Sequence, residues 1–180
     1  SSAASDVYKR QAPFCRIIRY GDDMATKTNA VRLVQQAGIP CREAFYEFDE
    51  QDLSGGHAAQ AIGMPEEQVF KTLVARGEKT GINVFCIPVC CELDLKKAAK
   101  AAGDKNMELV AVKELLGLTG YIRGGCSPVG MKKHYPTFID ETCTLWDEIA
   151  VSAGARGHQM IVPPQPLADL VGAELTDIIV

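Results

Sequence analysis

Residues 69–90 read VFKTLVARGEKTGINVFCIPVC, and the fold turns on this stretch. Two apolar, β-branched runs, 69–76 and 82–90, flank a polar tip at 78–81, which is the pattern of an antiparallel hairpin. Side chains alternate along an extended chain, so Lys71 and Leu73 share one face while Phe70, Thr72 and Val74 share the other. A lysine inside such a strand is costly to desolvate unless it meets an anion or lines a wet pocket. The competing reading is a solvent-facing lysine on an edge strand. The residues alone leave both open.

Upstream of the hairpin, Val31, Leu33, Val34 and Ala37 form a helical stripe. Thr28 or Asn29 caps its start, and Gly38 with Pro40 closes it. Residues 42–49, REAFYEFD, alternate as a strand. Gly55–Gly56 reads as a break before a short helix at 57–63, and Pro65 opens a further turn. Downstream, Leu93–Ala102 is a Lys/Ala-rich helix with Asp94 near its start and Gly103 behind it. Strands are expected at 107–112, 137–140, 147–151 and 158–162. Short helices are expected at 112–116 and 167–171, and 174–179 closes the chain as a helix or strand. Short strands without regularly interleaved long helices favour a mixed, mostly antiparallel sheet over a doubly wound parallel one.

The chain has 180 residues, 47% hydrophobic and 23% charged, which suits one soluble globular domain. No apolar run approaches the ~20 residues of a membrane span. Residues 1–14 are small, polar and aperiodic. They read as a disordered leader or non-native remnant, and the domain proper as 28–180. With no export signal, the seven cysteines are expected as reduced thiols in a cytoplasm. The net charge of −4 argues against a general nucleic-acid coat protein. Residues 71–140 nevertheless carry a local +4, either an anion site or a solvated helix face around Lys96, Lys97 and Lys100.

The most unusual segment is 124–130, Gly-Gly-Cys-Ser-Pro-Val-Gly. Glycine permits positive φ and close approach of backbone to a ligand, and successive N–H groups in such a loop can cradle an anion. A plain surface turn is the alternative. Neither a P-loop nor a nucleophile elbow fits the spacing. Cys86, Cys90 and Cys91 lack a second pair at zinc spacing. Cys126 with His134 as base would make a nucleophile. Asp140, at the end of an apolar strand, either orients a polar partner or caps the next turn.

Several segments together carry a resemblance: Val69–Val74, Cys91–Lys96 (CELDLK), Gly120–Gly130 (GYIRGGCSPVG), Lys132–Lys133 and Pro136–Glu141 (PTFIDE). In this order and separation they resemble the prolyl-tRNA synthetase-associated editing domains, and among them the freestanding YbaK-type branch. The likeness runs from about Ala30 to the C-terminus. It implies an α/β (α+β) single domain with a compact, barrel-like, mixed and mostly antiparallel sheet and flanking helices. It implies deacylation of Cys-tRNA(Pro), or of Cys-tRNA(Cys), without cofactor or metal. The substrate thiol would attack its own ester and leave as a thiolactone. The implied partners are the acceptor end of aminoacyl-tRNA and prolyl-tRNA synthetase, with neither DNA nor membrane. Editing is needed because a pocket separates side chains as similar in volume as cysteine and proline by only ~1–3 kcal/mol.

On the same resemblance Lys71, Gly125 and Ser127 form the catalytic set, Lys71 bringing positive charge to the ester or terminal phosphate. Gly124, Gly125, Ser127 and Gly130 shape the loop that receives the 3′-adenosine and aminoacyl group. Tyr46, Thr72 and Asp140 bind substrate, and Arg123, Lys132 and Lys133 contact acceptor-stem phosphates. Two positions depart from the pattern. Cys126 stands where relatives are often aliphatic, and Phe48 where many have histidine. Two alternatives remain: a catalytically silent module that binds tRNA or synthetase, and editing of Ala-tRNA(Pro).

Overall fold

The computed structural model describes residues 16–18 and 27–180, and the expected leader at 1–14 lies outside the described residues. Helix α1 (Asn29–Gln36) begins where Thr28 Oγ1 accepts from the Val31 N–H at 3.2 Å. The same hydroxyl donates to the Ala153 carbonyl at 2.6 Å, so the cap also fastens the helix to the sheet. Strand β1 (Arg16–Ile18) pairs with β2 (Arg42–Phe45). Strand β2 is shorter than the expected 42–49 because its partner β8 (His158–Val162) begins opposite Phe45.

The hairpin forms as expected. Strands β3 (Phe70–Gly77) and β4 (Gly81–Pro88) pair from Phe70 opposite Pro88 to Gly77 opposite Gly81. Helix α2 (Gly55–Ile62) precedes it. Gly55 and Gly56 are therefore not a break but the first turn of this helix, capped by Ser54 Oγ on the His57 N–H. Gly55 is required there, since a Cβ at that position would overlap the Val89 side chain. Helix α3 (Leu95–Ala102) starts at Asp94, which accepts from the Lys96 and Lys97 N–H groups, and ends at Gly103 in the left-handed region. Strand β5 (Met107–Leu109) and helix α4 (Val112–Thr119) follow. Strands β6 (Thr137–Asp140) and β7 (Ile149–Ala155), helix α5 (Pro164–Val171) and strand β9 (Glu174–Thr176) complete the chain. Strand β7 outruns its expected 147–151 through a register shift between Ser152 and Ala155.

The strands form two sheets, ordered β1-β2-β8-β7 and β5-β3-β4-β6-β9. Pairing is antiparallel except between β4 and β6 and between β6 and β9, so the sheet is mixed and mostly antiparallel as expected. The expected barrel-like closure is not found. Strands β6 and β9 extend the second sheet on the side of β4 away from β3. Among the described residues the sheets are joined by a bridge, Val69 with Ala150, and by a shared core of Phe70, Cys86 and Ile139 with Ile149, Val151 and Met160. The first sheet packs on α1 and α5 through Val31, Val34, Ile149, Met160, Leu167 and Ala168. The second packs on α3 through Phe85, Ile87, Ala98 and Ala99.

Phe85 is wholly buried and stacks on Phe138 with ring centroids 5.3 Å apart. Phe85→Ala removes that contact and leaves a cavity, so the urea unfolding free energy is expected to fall by about 3–5 kcal/mol.

His158 is buried, stacks on Phe45, and lies 2.9 Å from Glu43 Oε1. Burial holds its imidazole below the usual 6.5, against the opposing pull of Glu43. The unfolded chain takes up this proton as pH falls through 6.5 and the folded chain resists it. Stability is therefore expected to be full above 6.5 and to decline below it. Urea midpoints at pH 7 and pH 5 measure the decline, which is smaller in His158→Gln.

Candidate functional site

A cleft of about 450 Å³ runs along the seam between the two sheets. The first sheet contributes Ser152 and Gln159, with Tyr46 just beyond β2. The second contributes residues 70–74, Lys71 and Thr72 among them, with Val69 just before them. The first turn of α2, Gly55 and Gly56, forms one end. An apolar wall of Leu109, Val110, Val112 and Leu115 faces the remainder, with Arg123, Gly124 and Cys126 at the loop.

Lys71 is half-buried, and among the described residues its ammonium makes no ion pair or hydrogen bond. That settles the strand ambiguity in favour of a cleft lysine. A half-exposed cation without an internal partner is satisfied by water or by an anion from outside. The exposed guanidinium of Arg123 is similarly unpaired among the described residues, and its carbonyl accepts from Arg156 Nε at 2.8 Å. Thr72 Oγ1 lies 3.7 Å from Cys86 Sγ beneath the cleft. The first N–H groups of α2 have no intrahelical acceptor and carry the positive end of the helix dipole.

Tyr46 and Gln159 form a polar pair. Gln159 Nε2 donates to the Tyr46 hydroxyl at 3.5 Å, and among the described residues Gln159 Oε1 is buried without a partner. Burial raises the Tyr46 phenol, which stays a neutral donor. Cys126 lines the cleft, but burial pushes its thiol up to about 12. It is a protonated wall group rather than a nucleophile. His134 lines a different cavity, so the Cys126–His134 couple does not form.

The glycine-rich loop divides. Gly124, at φ +84°, lines the cleft, and Gly125 packs behind it. A Cβ on Gly125 would stand 3.1 Å from Ala155 C and Arg156 N, so any larger residue would press the loop a few tenths of an ångström away from that backbone. Ser127 is fully buried outside the cleft lining, and its Oγ accepts from the Val129 N–H at 3.2 Å. Its hydroxyl shapes the loop. Gly130 and Lys133 line a second cavity of about 280 Å³, and exposed Lys132 packs against Gly120 at the end of α4. Asp140 is fully buried, accepting from the Thr142 N–H and hydroxyl and from the Ile178 N–H. It is the cap of the following 3₁₀ turn and does not line the cleft.

The structure thus brings together Tyr46, Lys71, Thr72, Arg123 and Gly124, and leaves Gly125, Ser127, Gly130, Lys132, Lys133 and Asp140 outside the cleft lining. Sequence reasoning missed Gly55–Gly56, Ser152, Gln159 and the 109–115 wall. Ser54 ahead of a small-residue run was a readable cap signal for the first of these. No sequence pattern marks Gln159. Among the described residues no group of three or more His, Cys, Asp or Glu side chains is placed to hold a metal, and no helix is long and apolar enough to cross a membrane.

The chain is similar to EbsC of Enterococcus faecalis, a candidate Cys-tRNA(Pro)/Cys-tRNA(Cys) deacylase. The two are 45% identical over 152 residues, 84% of this chain and 93% of the relative. A crystal structure of a candidate trans-editing enzyme for prolyl-tRNA synthetase superposes with a TM-score of 0.71 at 28% identity, over 86% of this chain and 99% of that one. The hypothetical protein APE2540 shares the fold, with a TM-score of 0.75 at 22% identity, over 83% of this chain and 97% of that one. The profile of the aminoacyl-tRNA editing domain matches residues 55–170, which span α2 to α5 and supply most of the cleft. With the greater part of the chain matched and EbsC this similar, the protein belongs to the aminoacyl-tRNA editing domain family.

Proposed function

We propose that the protein deacylates mischarged Cys-tRNA(Pro), and Cys-tRNA(Cys), by letting the substrate's own thiol attack its ester. The observation that carries this reading is the composition of the cleft. Two unpaired cations, Lys71 and Arg123, line it, and none of its described lining residues is a carboxylate or imidazole. Such a site orients an ester and stabilises developing negative charge, but supplies no conventional general base. The cysteinyl thiol provides the nucleophile instead. A C–S bond forms at the carbonyl, the ester C–O bond breaks, the 3′-oxygen takes a proton, and a thiolactone leaves.

In this reading Lys71 and the N–H groups of Gly55 and Gly56 stabilise the oxyanion. Gln159 Oε1 accepts from the α-ammonium group, and Thr72 and Tyr46 border the side-chain pocket. Gly124 admits the 3′-adenosine, and Arg123 meets phosphate at the mouth. Gly125 and Ser127 act by holding the loop. Lys132 and Lys133 are assigned to acceptor-stem phosphates further out, where loss of either weakens binding in a salt-dependent way.

Incubation with labelled Cys-, Ala- and Pro-tRNA(Pro), with and without chelator, tests the proposal. Loss of cysteine alone, insensitive to chelator, is the expected result. Loss of alanine at a comparable rate removes the thiol mechanism, because alanine has no nucleophile. Retention of every ester while tRNA still binds makes the protein a silent binding module. Adding prolyl-tRNA synthetase to the same reaction tests whether it acts as a partner.

A further inference from the structure

The turn after β4 carries two adjacent cysteines outside the cleft. Their sulfurs lie 3.7 Å apart, and Cys90 is exposed. The turn closes through donation from the Cys91 N–H to the Pro88 carbonyl at 3.0 Å. Inside it sits Val89, whose N–H donates to the Val69 carbonyl at 2.8 Å and whose side chain abuts Gly55. Val69, Val89 and Gly55 all line the cleft. The thiol pair therefore directly follows the residue that walls the cleft and seats the first turn of α2. The other described cysteines, Cys41, Cys86, Cys126 and Cys143, are buried.

We propose that Cys90 and Cys91 form a reversible dithiol–disulfide site, which exchanges with small-molecule disulfides and on closure displaces the Val89 wall of the cleft. The Cys90 thiolate attacks one sulfur of the small disulfide, whose S–S bond breaks and releases one thiol. Cys91, deprotonated, then attacks the mixed disulfide and expels the second. The protein's two thiols are oxidised to one disulfide, and the small disulfide is reduced to two thiols.

Geometry makes closure consequential. Adjacent Cα atoms across a trans peptide stand about 3.8 Å apart, whereas disulfides usually span about 4.4–6.8 Å. That spacing is fixed by the peptide, so bringing the sulfurs from 3.7 Å to the bonded ~2.05 Å falls on the backbone torsions of the turn 88–91, and Val89 moves with them. The resulting strain makes the bond readily reducible. Partial burial, the Cys91 thiol and the Glu67 carboxylate push the Cys90 thiol up to about 11. Exchange is therefore slow at neutral pH and accelerates roughly tenfold per pH unit above it. The Glu67 charge also disfavours anionic disulfides, so zwitterionic cystine is the fitting reagent.

The experiment treats the full chain with cystine at pH 8 and reads intact mass and mapped peptides. The expected product has lost two hydrogens, both from the 90–91 peptide, and dithiothreitol restores them. Cys91→Ser instead retains one cysteine as a mixed disulfide on Cys90. Amide exchange at Val89, whose N–H is bonded to the Val69 carbonyl, is expected to quicken about tenfold in the oxidised protein, the scale of a lost local contact. Two persistent free thiols, a stable mixed disulfide in the unsubstituted protein, or a disulfide with unchanged exchange at Val89 each overturn the proposal. A final readout rests on the deacylase reading: cysteine release falls about tenfold on oxidation, the scale of a misplaced catalytic element. If the reduced protein releases no cysteine, that reading fails, while mass and amide exchange still decide this one.

Discussion

Lys71→Ala is expected to lower kcat/KM for Cys-tRNA(Pro) by about 10²–10³-fold, the usual consequence of removing one preorganised group from a developing oxyanion. Its unfolding free energy is expected to hold or rise, because the lysine has no internal partner to lose among the described residues and its charge is half-buried. This divergence separates a functional cation from a structural one. Lys71→Arg keeps the charge but replaces a compact ammonium with a broad fork, and it is expected to recover only part of the rate. Single-turnover deacylation beside urea titration measures both. A wild-type rate in the alanine variant removes Lys71 from the mechanism.

Gly55→Ala should also impair activity severely, through packing alone. The new Cβ would collide with the branched Val89 side chain, which is held by the Val89 N–H bond to Val69. The helix start must retreat, carrying its N–H groups out of line, and displacements of this kind cost up to ~10²-fold in rate. Overpacking also destabilises, here by about 1–3 kcal/mol. Trimming the obstacle discriminates: Gly55→Ala with Val89→Ala should regain much of the activity, whereas Val89→Ala alone leaves a void and a smaller loss. No recovery in the double variant would mean that Gly55 matters through backbone freedom rather than through Val89.

The hairpin and most of the helix ends were legible because local chemistry sets them. Alternation over 69–90, the caps at Thr28 and Asp94, and the stops at Gly63, Gly103 and Gly172 need no distant partner. Gly55–Gly56 misled because glycine is a poor helix former. Its presence answers to Val89, some thirty residues away in the chain. The open sheets could not be read either, since the parallel pairs β4–β6 and β6–β9 join segments that carry no mutual signal. In the site, Lys71 and Thr72 were visible as an oddity within a strand. Gln159 was not, because a glutamine in a short strand reads like any polar position until its partnerless oxygen is seen. Asp140 shows the reverse: the simpler capping role was readable, and three internal donors leave it no other.

The bridge between Val69 and Ala150 and the core shared by the two sheets, with Phe70, Cys86 and Ile139 packed with Ile149, Val151 and Met160, also have a mechanical consequence. Two stiff plates are braced against each other there, and the opening at their seam behaves as an aperture. Tyr46, Ser152 and Gln159 ride on one plate, and Lys71 and Thr72 on the other. Helix α1 grips the first plate through Thr28 and Ala153, the residue next to Ser152 of the cleft. Loosening that grip would let the plate swing, changing the gap between ammonium and amide without altering either. The aperture is set by how the whole molecule is braced.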